Sequence, residues 1–422
     1  MAITKETFRT LIHEGQEEIR DVELYDRPFD FEDNGRYVLV GVRQAGKSYM
    51  LYKRARQMLG AGYQLEDMVY INFDDERLID MTADDFDLIL QAYLSVYNRT
   101  PVLFFDEIQN VDGWEHFARR LANQKYNVYI TGSNAKMLSH DIQTVLGGRF
   151  LDAHIYPYIF AEYLEAKGVS LEKEWQYGSQ RAIVQQAFAD YMKWGGFPEL
   201  LLFRNKRNWL NSLYEKILLG DIIQRNKVKN EMALRLTMKR LAENVKQPIS
   251  YNRVANIIRS TGSSIAVSSV SDYVRYAQEA CMLFSLENYA SKFVEKETVK
   301  KHYFIDNGLL SIFLISGEAA LLENLCAIHL RKRYGDKLCY YNKNIEVDFL
   351  IAEEGYAVQA SYSIYGEGMQ ETFERETKAL KQLDAFLSLK RMVIITFDEE
   401  GTVPLDNGKL IEIVPAWKWL LE

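Results

Sequence analysis

The first third of the chain alternates polar stretches with short apolar runs of four to six residues. Runs of this length, bounded by turn-forming residues, predict strands buried on both faces, as in a parallel sheet covered by helices. The clearest runs are residues 37–40, 68–73, 101–105 and 127–131. The acidic segment before them predicts a helix that packs on this sheet and ends near Pro28.

The pattern changes twice in the rest of the chain. Residues 156–230 follow a helical period, with a break at residues 195–198, and predict either a lid and connector or a purely structural helical layer. Three amphipathic segments and two alternating stretches follow, and beyond residue 305 helical and strand-like segments mix. We predict an α/β protein with four parts, namely a parallel-sheet domain (1–155), a helical lid or connector (156–230), a three-helix region with a β-hairpin (231–305) and a small α/β domain (306–422).

Composition and charge argue against a membrane protein, a secreted protein and a protein that coats nucleic acid. The chain has 422 residues, of which 48% are hydrophobic and 26% charged, which is typical of a globular protein with more than one core. No apolar run reaches the length of a membrane helix, and the start has no signal segment. Three cysteines without metal spacing favour a reducing cytoplasm. The net charge of −8 argues against a surface that coats nucleic acid, although a local basic patch remains compatible with it.

A glycine loop joins the first predicted strand to a predicted helix, in the pattern Gly41-x-x-x-x-Gly46-Lys47-Ser48. Glycines let backbone N–H groups surround a phosphate, and the helix adds its positive N-terminal end. Lys47 would then reach the β- and γ-phosphates, and the Ser48 hydroxyl would hold Mg²⁺. The alternative is a glycine turn with a chance lysine. The predicted nucleotide-binding residues are Gly41, Arg43, Gln44, Ala45, Gly46, Lys47, Ser48 and Tyr49.

Two carboxylates, Asp106 and Glu107, end the third apolar run. The carboxyl ends of parallel strands form the sheet edge where nucleotides bind. We expect Asp106 to complete the Mg²⁺ shell, and Glu107, which points to another side, to orient and deprotonate the attacking water. The alternative is that these residues only cap the next helix.

Polar residues also follow the fourth run. Ser133 or Asn134 is expected to sense the γ-phosphate or the water, unless this loop only caps the next helix. Arg149 lies on a glycine hinge and is a candidate arginine finger, which would neutralise charge on the transferred phosphoryl group. If Arg149 acts in trans, the protein must self-associate or meet another protein. Arg43 is a further candidate phosphate contact.

Together these motifs resemble a family of prokaryotic AAA-type ATPases in which a C-terminal region of unknown function follows the ATPase. The resemblance rests on the P-loop, on Leu-Phe-Phe-Asp-Glu-Ile-Gln-Asn-Val, on Ile-Thr-Gly-Ser-Asn-Ala and on Gly-Gly-Arg-Phe, and it extends over nearly the whole chain. It implies ATP rather than GTP as the nucleotide. It also implies an additional strand between the P-loop strand and the acidic strand, for which residues 68–73 are the candidate.

Residues 231–305 have the outline of a winged helix, with predicted helices at 231–245, 251–258 and 268–280. The third helix, which carries Tyr273 and Arg275, would face a major groove. Basic residues outnumber acidic ones in this segment, which favours DNA as a partner through residues 251–301. Winged helices also serve as protein-contact modules, so both partners remain open.

The last part resembles the PD-(D/E)XK nuclease core. Glu323 on a helix and Asp348 on a strand match the first two acidic positions, but Gln359 and Ser361 stand where a second carboxylate and a lysine belong. That chemistry needs two carboxylates for Mg²⁺ and a lysine near the attacked phosphate. We therefore expect a degenerate nuclease fold, with Glu346 as a substitute ligand if any cleavage survives. A structural role for Glu323 and Asp348 is the alternative.

Two functional hypotheses follow from the sequence. The first is a Mg²⁺-dependent ATPase that couples its nucleotide state to a DNA- or protein-binding C-terminal region. The second is a nucleotide-gated binding module with little or no hydrolysis. An ATP-dependent nuclease is a third and weaker alternative, because its lysine is missing. The complete set Lys47, Ser48, Asp106 and Glu107 favours hydrolysis.

Overall fold

The computed structural model describes residues 3–422, which form two compact units. The first unit extends to Tyr156 and includes Glu279–Cys281, and the second comprises Pro157–Gln278 and Met282–Glu422. The predicted division after residue 155 lies within one residue of this boundary, and the finer predicted divisions stay predictions. None of the helices between residues 3 and 422 has the length and apolar character that a membrane crossing requires.

Five strands and five α-helices build the first unit within residues 3–156. The strands are β1 (Tyr37–Val40), β2 (Met68–Asn72), β3 (Val102–Asp106), β4 (Asn127–Gly132) and β5 (Leu151–His154). The helices are α1 (Lys5–Asp21), α2 (Lys47–Gly60), α3 (Phe86–Leu94), α4 (Trp114–Asn123) and α5 (His140–Leu146). All residues of β1 and β3 are buried, as their unbroken apolar runs predict.

The five strands form a parallel sheet in the order β2-β3-β4-β1-β5. The chain reaches each parallel neighbour by a helical crossover, which explains the alternation of apolar runs and amphipathic helices. The additional strand β2 lies between β1 and β3 in the chain, but at the edge of the sheet in space. Strand β4 occupies the place between β1 and β3.

Helix α1 ends at Asp21, so the prediction that it continues to near Pro28 is wrong. The Arg56 guanidinium donates to the last carbonyl oxygens of the helix region, those of Ile19, Arg20 and Val22. Farther along, the buried Arg27 guanidinium donates to the carbonyl oxygens of Ala45 at 3.0 Å and Tyr156 at 2.9 Å. These bonds hold the extended segment against the P-loop.

The second unit contains eleven α-helices, one π-helical turn and nine strands within the described chain. The helices are α6 (Phe160–Ala166), α7 (Gln180–Trp194), α8 (Lys206–Lys216), α9 (Glu231–Glu243), α10 (Tyr251–Ser260), α11 (Val267–Glu279), α12 (Phe293–Thr298), α13 (Asn307–Ser311), α14 (Glu318–Tyr334), α15 (Gln370–Leu387) and α16 (Ala416–Trp419), and the π-helical turn is Ile217–Gln224. The strands are β6 (Ile249–Ser250), β7 (Leu283–Leu286), β8 (Val299–Phe304), β9 (Cys339–Asn342), β10 (Glu346–Ile351), β11 (Tyr356–Ala360), β12 (Arg391–Thr396), β13 (Gly401–Pro404) and β14 (Leu410–Pro415).

These strands form two sheets. A small antiparallel sheet has the order β6-β8-β7, and a mixed sheet has the order β13-β14-β12-β11-β10-β9. The sequence pattern predicts an amphipathic helix after Lys378 and a final strand at residues 392–397, and both predictions are wrong. Helix α15 begins at Gln370, well before Lys378, because the chain becomes helical directly after Gly366 and Gly368, both with positive φ. Strand β12 is not the last strand, because a turn at Gly408 pairs β13 with β14.

Asp306 holds in place the break between helices at residues 195–198, which contains two glycines. Its carboxylate accepts hydrogen bonds from the backbone N–H groups of Gly196 and Gly308, each at 2.7 Å. A Cβ atom on Gly195 would lie 1.9 Å from this carboxylate, and one on Gly196 would lie 2.1 Å from the carbonyl oxygen of Tyr158. The two glycines are therefore required by packing. Burial raises the pKa of Asp306 to about 7.

Replacing Asp306 by Asn should change how stability depends on pH. Because the pKa is about 7 in the folded chain and ordinarily 3.8, the folded state binds more protons between these values. The free energy of unfolding should therefore fall as pH rises from about 4 to 7, by at most about 1.4 kcal/mol per pH unit from this group. Thermal unfolding across this range should show a shallower fall in Asp306→Asn.

Asp190→Asn is the matched control in the same unit. Lys206 donates to Asp190 at 2.6 Å, and the pKa of Asp190 is lowered because this partner and its neighbours outweigh burial. Asp190→Asn should lower the free energy of unfolding at neutral pH, but this free energy should still fall as pH rises. The buried Glu323, whose pKa is raised to about 8, keeps part of that slope in both variants. An unchanged slope in Asp306→Asn would contradict the assignment.

Candidate nucleotide site

The carboxyl ends of β1, β3 and β4 lie at one edge of the first sheet. Val40 pairs with Gly132, and Phe105 pairs with Ile130, so the three strands end side by side. The N–H group of Gly41 donates to the carbonyl oxygen of Gly132 at 3.3 Å. This register brings the glycine loop and the acidic strand end together, as expected for parallel strands.

Asp106 is buried at this edge and is surrounded by hydroxyl groups. Its Oδ2 accepts from the Tyr70 hydroxyl at 2.8 Å, its Oδ1 accepts from Thr131, and Ser48 also hydrogen-bonds to it. Burial, followed by the charge of Glu107, raises the pKa of Asp106. The carboxylate is held close to Ser48, the other predicted Mg²⁺ ligand.

Glu107 has a left-handed backbone with φ of 53°, which turns its side chain away from Asp106. Its Oε1 lies 3.1 Å from Lys47 Nζ, and its Oε2 accepts from Gln109 Nε2 at 2.5 Å and from the Ser133 N–H at 3.2 Å. Burial alone would raise the pKa of Glu107. The charges of Lys47 and Arg43 and the Gln109 hydrogen bond lower that pKa to about 2, so the carboxylate is ionised at neutral pH.

The glycine loop approaches its neighbours closely. A Cβ atom on Gly41 would lie 2.1 Å from the carbonyl oxygen of Ile155, and Gly46 has a left-handed φ of 94°. Helix α2 begins directly after Gly46, and no side chain in the described chain caps it. Lys47 Nζ also donates to the Val42 carbonyl at 3.2 Å. The uncapped N–H groups and the buried ammonium form an anion-binding arrangement.

A nucleotide with Mg²⁺ fits these residues. Ser48 and Asp106 offer the oxygen ligands that Mg²⁺ prefers. No cluster of three or more His, Cys, Asp or Glu side chains within residues 3–422 could hold a metal by itself, so phosphate oxygens would have to complete the shell. The buried Gln109 Oε1 has no hydrogen-bond partner among the described residues, which leaves one acceptor beside Glu107 for a bound group.

The remaining predicted loop residues differ in environment. Arg43 lies 3.9 Å from Asp74, and Gln44 has a left-handed φ of 60°. Ala45 is buried, whereas Tyr49 is 48% exposed on the first turn of α2. The contacts that these four side chains make with a nucleotide stay a prediction.

Ser133 and Asn134 lie beside the acidic residues, but their side chains have different contacts. Ser133 Oγ accepts from Gln109 Nε2 at 3.4 Å, next to Glu107. Asn134 Oδ1 accepts from the Lys136 N–H at 2.9 Å, which caps the short helix Ala135–Leu138. This hydrogen bond is the helix-capping role that the sequence offered as the alternative for Asn134. A role of Asn134 in sensing the γ-phosphate or the water stays a prediction.

Arg149 lies at the opposite edge of the sheet from the glycine loop. Strands β1 and β5 are parallel, with Tyr37 opposite Leu151 and Val40 opposite His154. Arg149 precedes β5 by two residues, whereas the loop follows β1, so a strand of roughly 13 Å separates them. The exposed guanidinium donates to the Gly147 carbonyl at 3.1 Å, at the end of the sheet away from the glycine loop.

Sequence reasoning missed three residues that position the carboxylates. Thr131 bridges them, since it donates to Asp106 and accepts from the Glu107 N–H at 3.0 Å. Tyr70 and Gln109 complete the set. The sequence feature that could have identified these residues is a polar residue on, or directly after, a buried strand. The sheet order places such positions beside the acidic strand end.

The second unit brings together the predicted nuclease-like residues Glu323, Glu346, Asp348 and Gln359. They line an open cavity of about 800 Å³, as does Ser361. Gln359 Oε1 accepts from the Asp348 N–H at 2.8 Å, and Gln359 Nε2 donates to the Glu346 carbonyl at 3.0 Å. The glutamine thus holds two backbone groups of β10 in place.

Lys301, which the sequence did not single out, lies among these carboxylates. Its Nζ is 2.9 Å from Asp348, 3.3 Å from Glu323 and 3.3 Å from Glu346. The side chain is fully buried. Alternation along β8 puts Lys301 on the same face as Tyr303, whose hydroxyl donates to Glu323 at 2.9 Å. The sequence feature that could have identified Lys301 is a lysine on the buried face of a strand.

The predicted DNA-facing helix, α11, has its named side chains engaged within the chain. Tyr273 is buried, and its hydroxyl donates to the Asn230 carbonyl at 3.3 Å. Arg275 donates to Asp272 at 2.8 Å and lies over the Tyr276 ring. Neither contact points to a nucleic acid.

The sheet order, the glycine loop and the acidic strand end define a P-loop protein of the AAA class. Residues 33–164 match the family described as an AAA domain, and residues 185–318 match a domain of unknown function, DUF8612. The chain is 33% identical over 414 residues to an uncharacterized protein of Methanocaldococcus jannaschii, covering 95% of this chain and 90% of that protein. It belongs to the same family as that protein.

A second relative and a solved structure are also similar to this chain. An uncharacterized protein of Haemophilus influenzae is 28% identical over 398 residues, covering 91% of this chain and 94% of the relative. The structure of a Walker-type ATPase from Pyrococcus abyssi is similar with a TM-score of 0.41 and 13% identity, over 70% of this chain and 99% of that one.

Replacing Tyr70 by Phe should destabilise the first unit. The change removes the donor of a buried hydrogen bond to a carboxylate, which typically contributes about 1.5–3 kcal/mol. Tyr93→Phe is the matched control, because the Tyr93 hydroxyl donates to the neutral Glu66 carbonyl at 2.9 Å, away from the site. Urea unfolding should show the larger loss in Tyr70→Phe. Equal losses would mean that the bond to Asp106 has no special strength.

Proposed function

We propose that the protein binds ATP with Mg²⁺ and hydrolyses it, and that its nucleotide state controls the second unit. The observation that carries this proposal is the buried contact between Lys47 and Glu107, next to Asp106 and Ser48. An ammonium at the start of an uncapped helix and a carboxylate at a strand end are the two groups that phosphoryl transfer to water requires.

The Lys47–Glu107 contact suggests how binding prepares hydrolysis. The phosphates of ATP would replace Glu107 as the partner of Lys47. Glu107 then loses the charge that holds its pKa near 2, and it becomes a stronger base for the attacking water. Gln109 and Ser133 keep its second oxygen in place. Mg²⁺, held by Ser48 and Asp106, would neutralise charge on the phosphates.

Steady-state turnover of Mg-ATP tests this proposal. Lys47→Ala should weaken ATP binding at least about tenfold, because it removes a buried phosphate contact. Glu107→Gln should keep ATP binding but lower turnover by about 10²–10⁴, because the amide cannot accept a proton. Lys5→Ala, an exposed lysine on α1, is the control and should change neither.

Two outcomes would contradict this assignment. If calorimetry detects no binding of ATP to the wild-type chain with Mg²⁺ in excess, the nucleotide site itself is wrong. If the wild type binds ATP without turnover, the protein is a nucleotide-gated binding module, and only the hydrolytic role of Glu107 fails.

We further propose that Arg149 acts on the nucleotide of a second copy of the chain. Its place at the edge opposite the glycine loop supports action in trans, since the glycine loop of its own chain lies at the other end of β1. An arginine finger contributes about 10³–10⁵ in rate. The protein would then hydrolyse ATP only in an assembly.

Mixing two inactive variants tests Arg149. Arg149→Ala keeps its own P-loop, and Glu107→Gln keeps its own arginine, so mixed assemblies should regain a fraction of the wild-type turnover. Arg119→Ala, an exposed arginine on α4, should retain full turnover alone. If Arg149→Ala alone is as active as Arg119→Ala, Arg149 is not a finger.

For residues 231–305 we propose a winged-helix region that contacts protein. The order α9, β6, α10, α11, β7, α12, β8 along the chain supports this outline, with three helices and a small sheet β6-β8-β7. The internal contacts of Tyr273 and Arg275 favour a protein partner over DNA. Stimulation of turnover by duplex DNA would reverse that preference.

A further inference from the structure

A fully buried ammonium group, that of Lys301, lies against three carboxylates that line the cavity of the second unit. Lys301 Nζ lies within 3.3 Å of carboxylate oxygens from Glu323, Glu346 and Asp348. These three residues come from helix α14 and strand β10, whereas Lys301 comes from β8. The contacts therefore join three elements at the base of the cavity.

One of the three contacts has the length of a strong ammonium–carboxylate hydrogen bond, and the other two are longer ion pairs. Hydrogen bonds from an ammonium to a carboxylate are about 2.7–2.9 Å long, whereas Mg²⁺ requires about 2.0–2.1 Å. The Nζ group donates to Asp348 at 2.9 Å and to Glu323 at 3.3 Å. Glu346 lies at 3.3 Å and reaches into the cavity, with its side chain 36% exposed.

The two deeper carboxylates, Glu323 and Asp348, also accept hydrogen bonds from protein donors other than Lys301. Glu323 also accepts from the Tyr303 hydroxyl at 2.9 Å, and Asp348 Oδ2 accepts from the Ala360 N–H at 3.1 Å. The nearby Glu376 is paired with Arg375 at 2.6 Å. A divalent cation would have to displace Lys301 from these oxygens.

The backbone keeps Lys301 in this position. Asn324, next to Glu323, accepts from the Phe304 N–H at 2.8 Å and donates to the Phe304 carbonyl at 3.0 Å. This paired contact fixes the register of α14 against β8, and so fixes Glu323 relative to Lys301 and Tyr303. Moving the ammonium out would also leave the buried carboxylates of Glu323 and Asp348 without this partner, which is costly.

We propose that Lys301 permanently occupies the place of a divalent cation between Glu323, Glu346 and Asp348, so that this cavity works without metal. The wild-type cavity then takes up no Mg²⁺ or Mn²⁺ and cannot catalyse metal-dependent cleavage of a phosphodiester. This inference goes beyond the proposed ATPase function and does not depend on it, because the two sites lie in different units.

Mn²⁺ titration of the full-length chain tests this proposal. All variants carry Asp106→Asn, so that the P-loop cation site does not contribute, and nucleotide is omitted. The parent should bind no Mn²⁺ through the cavity, and adding Asp348→Asn should leave its titration unchanged. Lys301→Met, which keeps an unbranched side chain one atom shorter but removes its charge, should gain one Mn²⁺ per chain.

The gain must depend on the same carboxylates. Lys301→Met combined with Asp348→Asn should bind Mn²⁺ at least about tenfold more weakly than Lys301→Met alone, since one ligand is lost. Mn²⁺ binding by the parent that disappears with Asp348→Asn would overturn the proposal, and this comparison decides it even if Lys301→Met does not fold. A correctly folded Lys301→Met chain without Mn²⁺ binding would also overturn it.

Discussion

The contact between Lys47 and Glu107 is the interaction on which the nucleotide site depends. It joins the first turn of α2 to the end of β3, and both side chains are largely withdrawn from solvent. A buried ion pair is costly unless further hydrogen bonds support it. Gln109 and Ser133 supply that support on the carboxylate side. The same groups that stabilise this pair thereby hold the glutamate ready for a change of partner.

Sequence patterns were sufficient for most of the first unit. Each apolar run became a buried strand because a parallel strand covered on both faces has no polar side to interrupt it. The glycine loop and Asp106 could be located for the same reason, since they follow such runs directly. The end of α1 could not, because it depends on a distant contact, the hydrogen bonds from Arg56 to the Ile19, Arg20 and Val22 carbonyls.

Prediction was weaker wherever function depends on residues far apart in the chain. Lys301 lies 47 positions from Asp348, and no local spacing connects them. The sequence shows Ser361 where the nuclease-like motif would have a lysine, and whether that motif applies stays a prediction. The positive charge of Lys301 near Asp348 could be recognised only from the folded chain. Thr131 is a similar case, because its role follows from sheet order rather than from its neighbours in sequence.

The position of Arg149 has a consequence for how such a protein would behave in a cell. A chain whose phosphate cradle and guanidinium open toward opposite sides is, under the proposed function, only half of a working unit. Dilution would then lower its ATPase activity and a higher local concentration would raise it, so that the amount of protein controls the activity. Specific activity would rise with protein concentration until neighbours saturate, without any separate regulator.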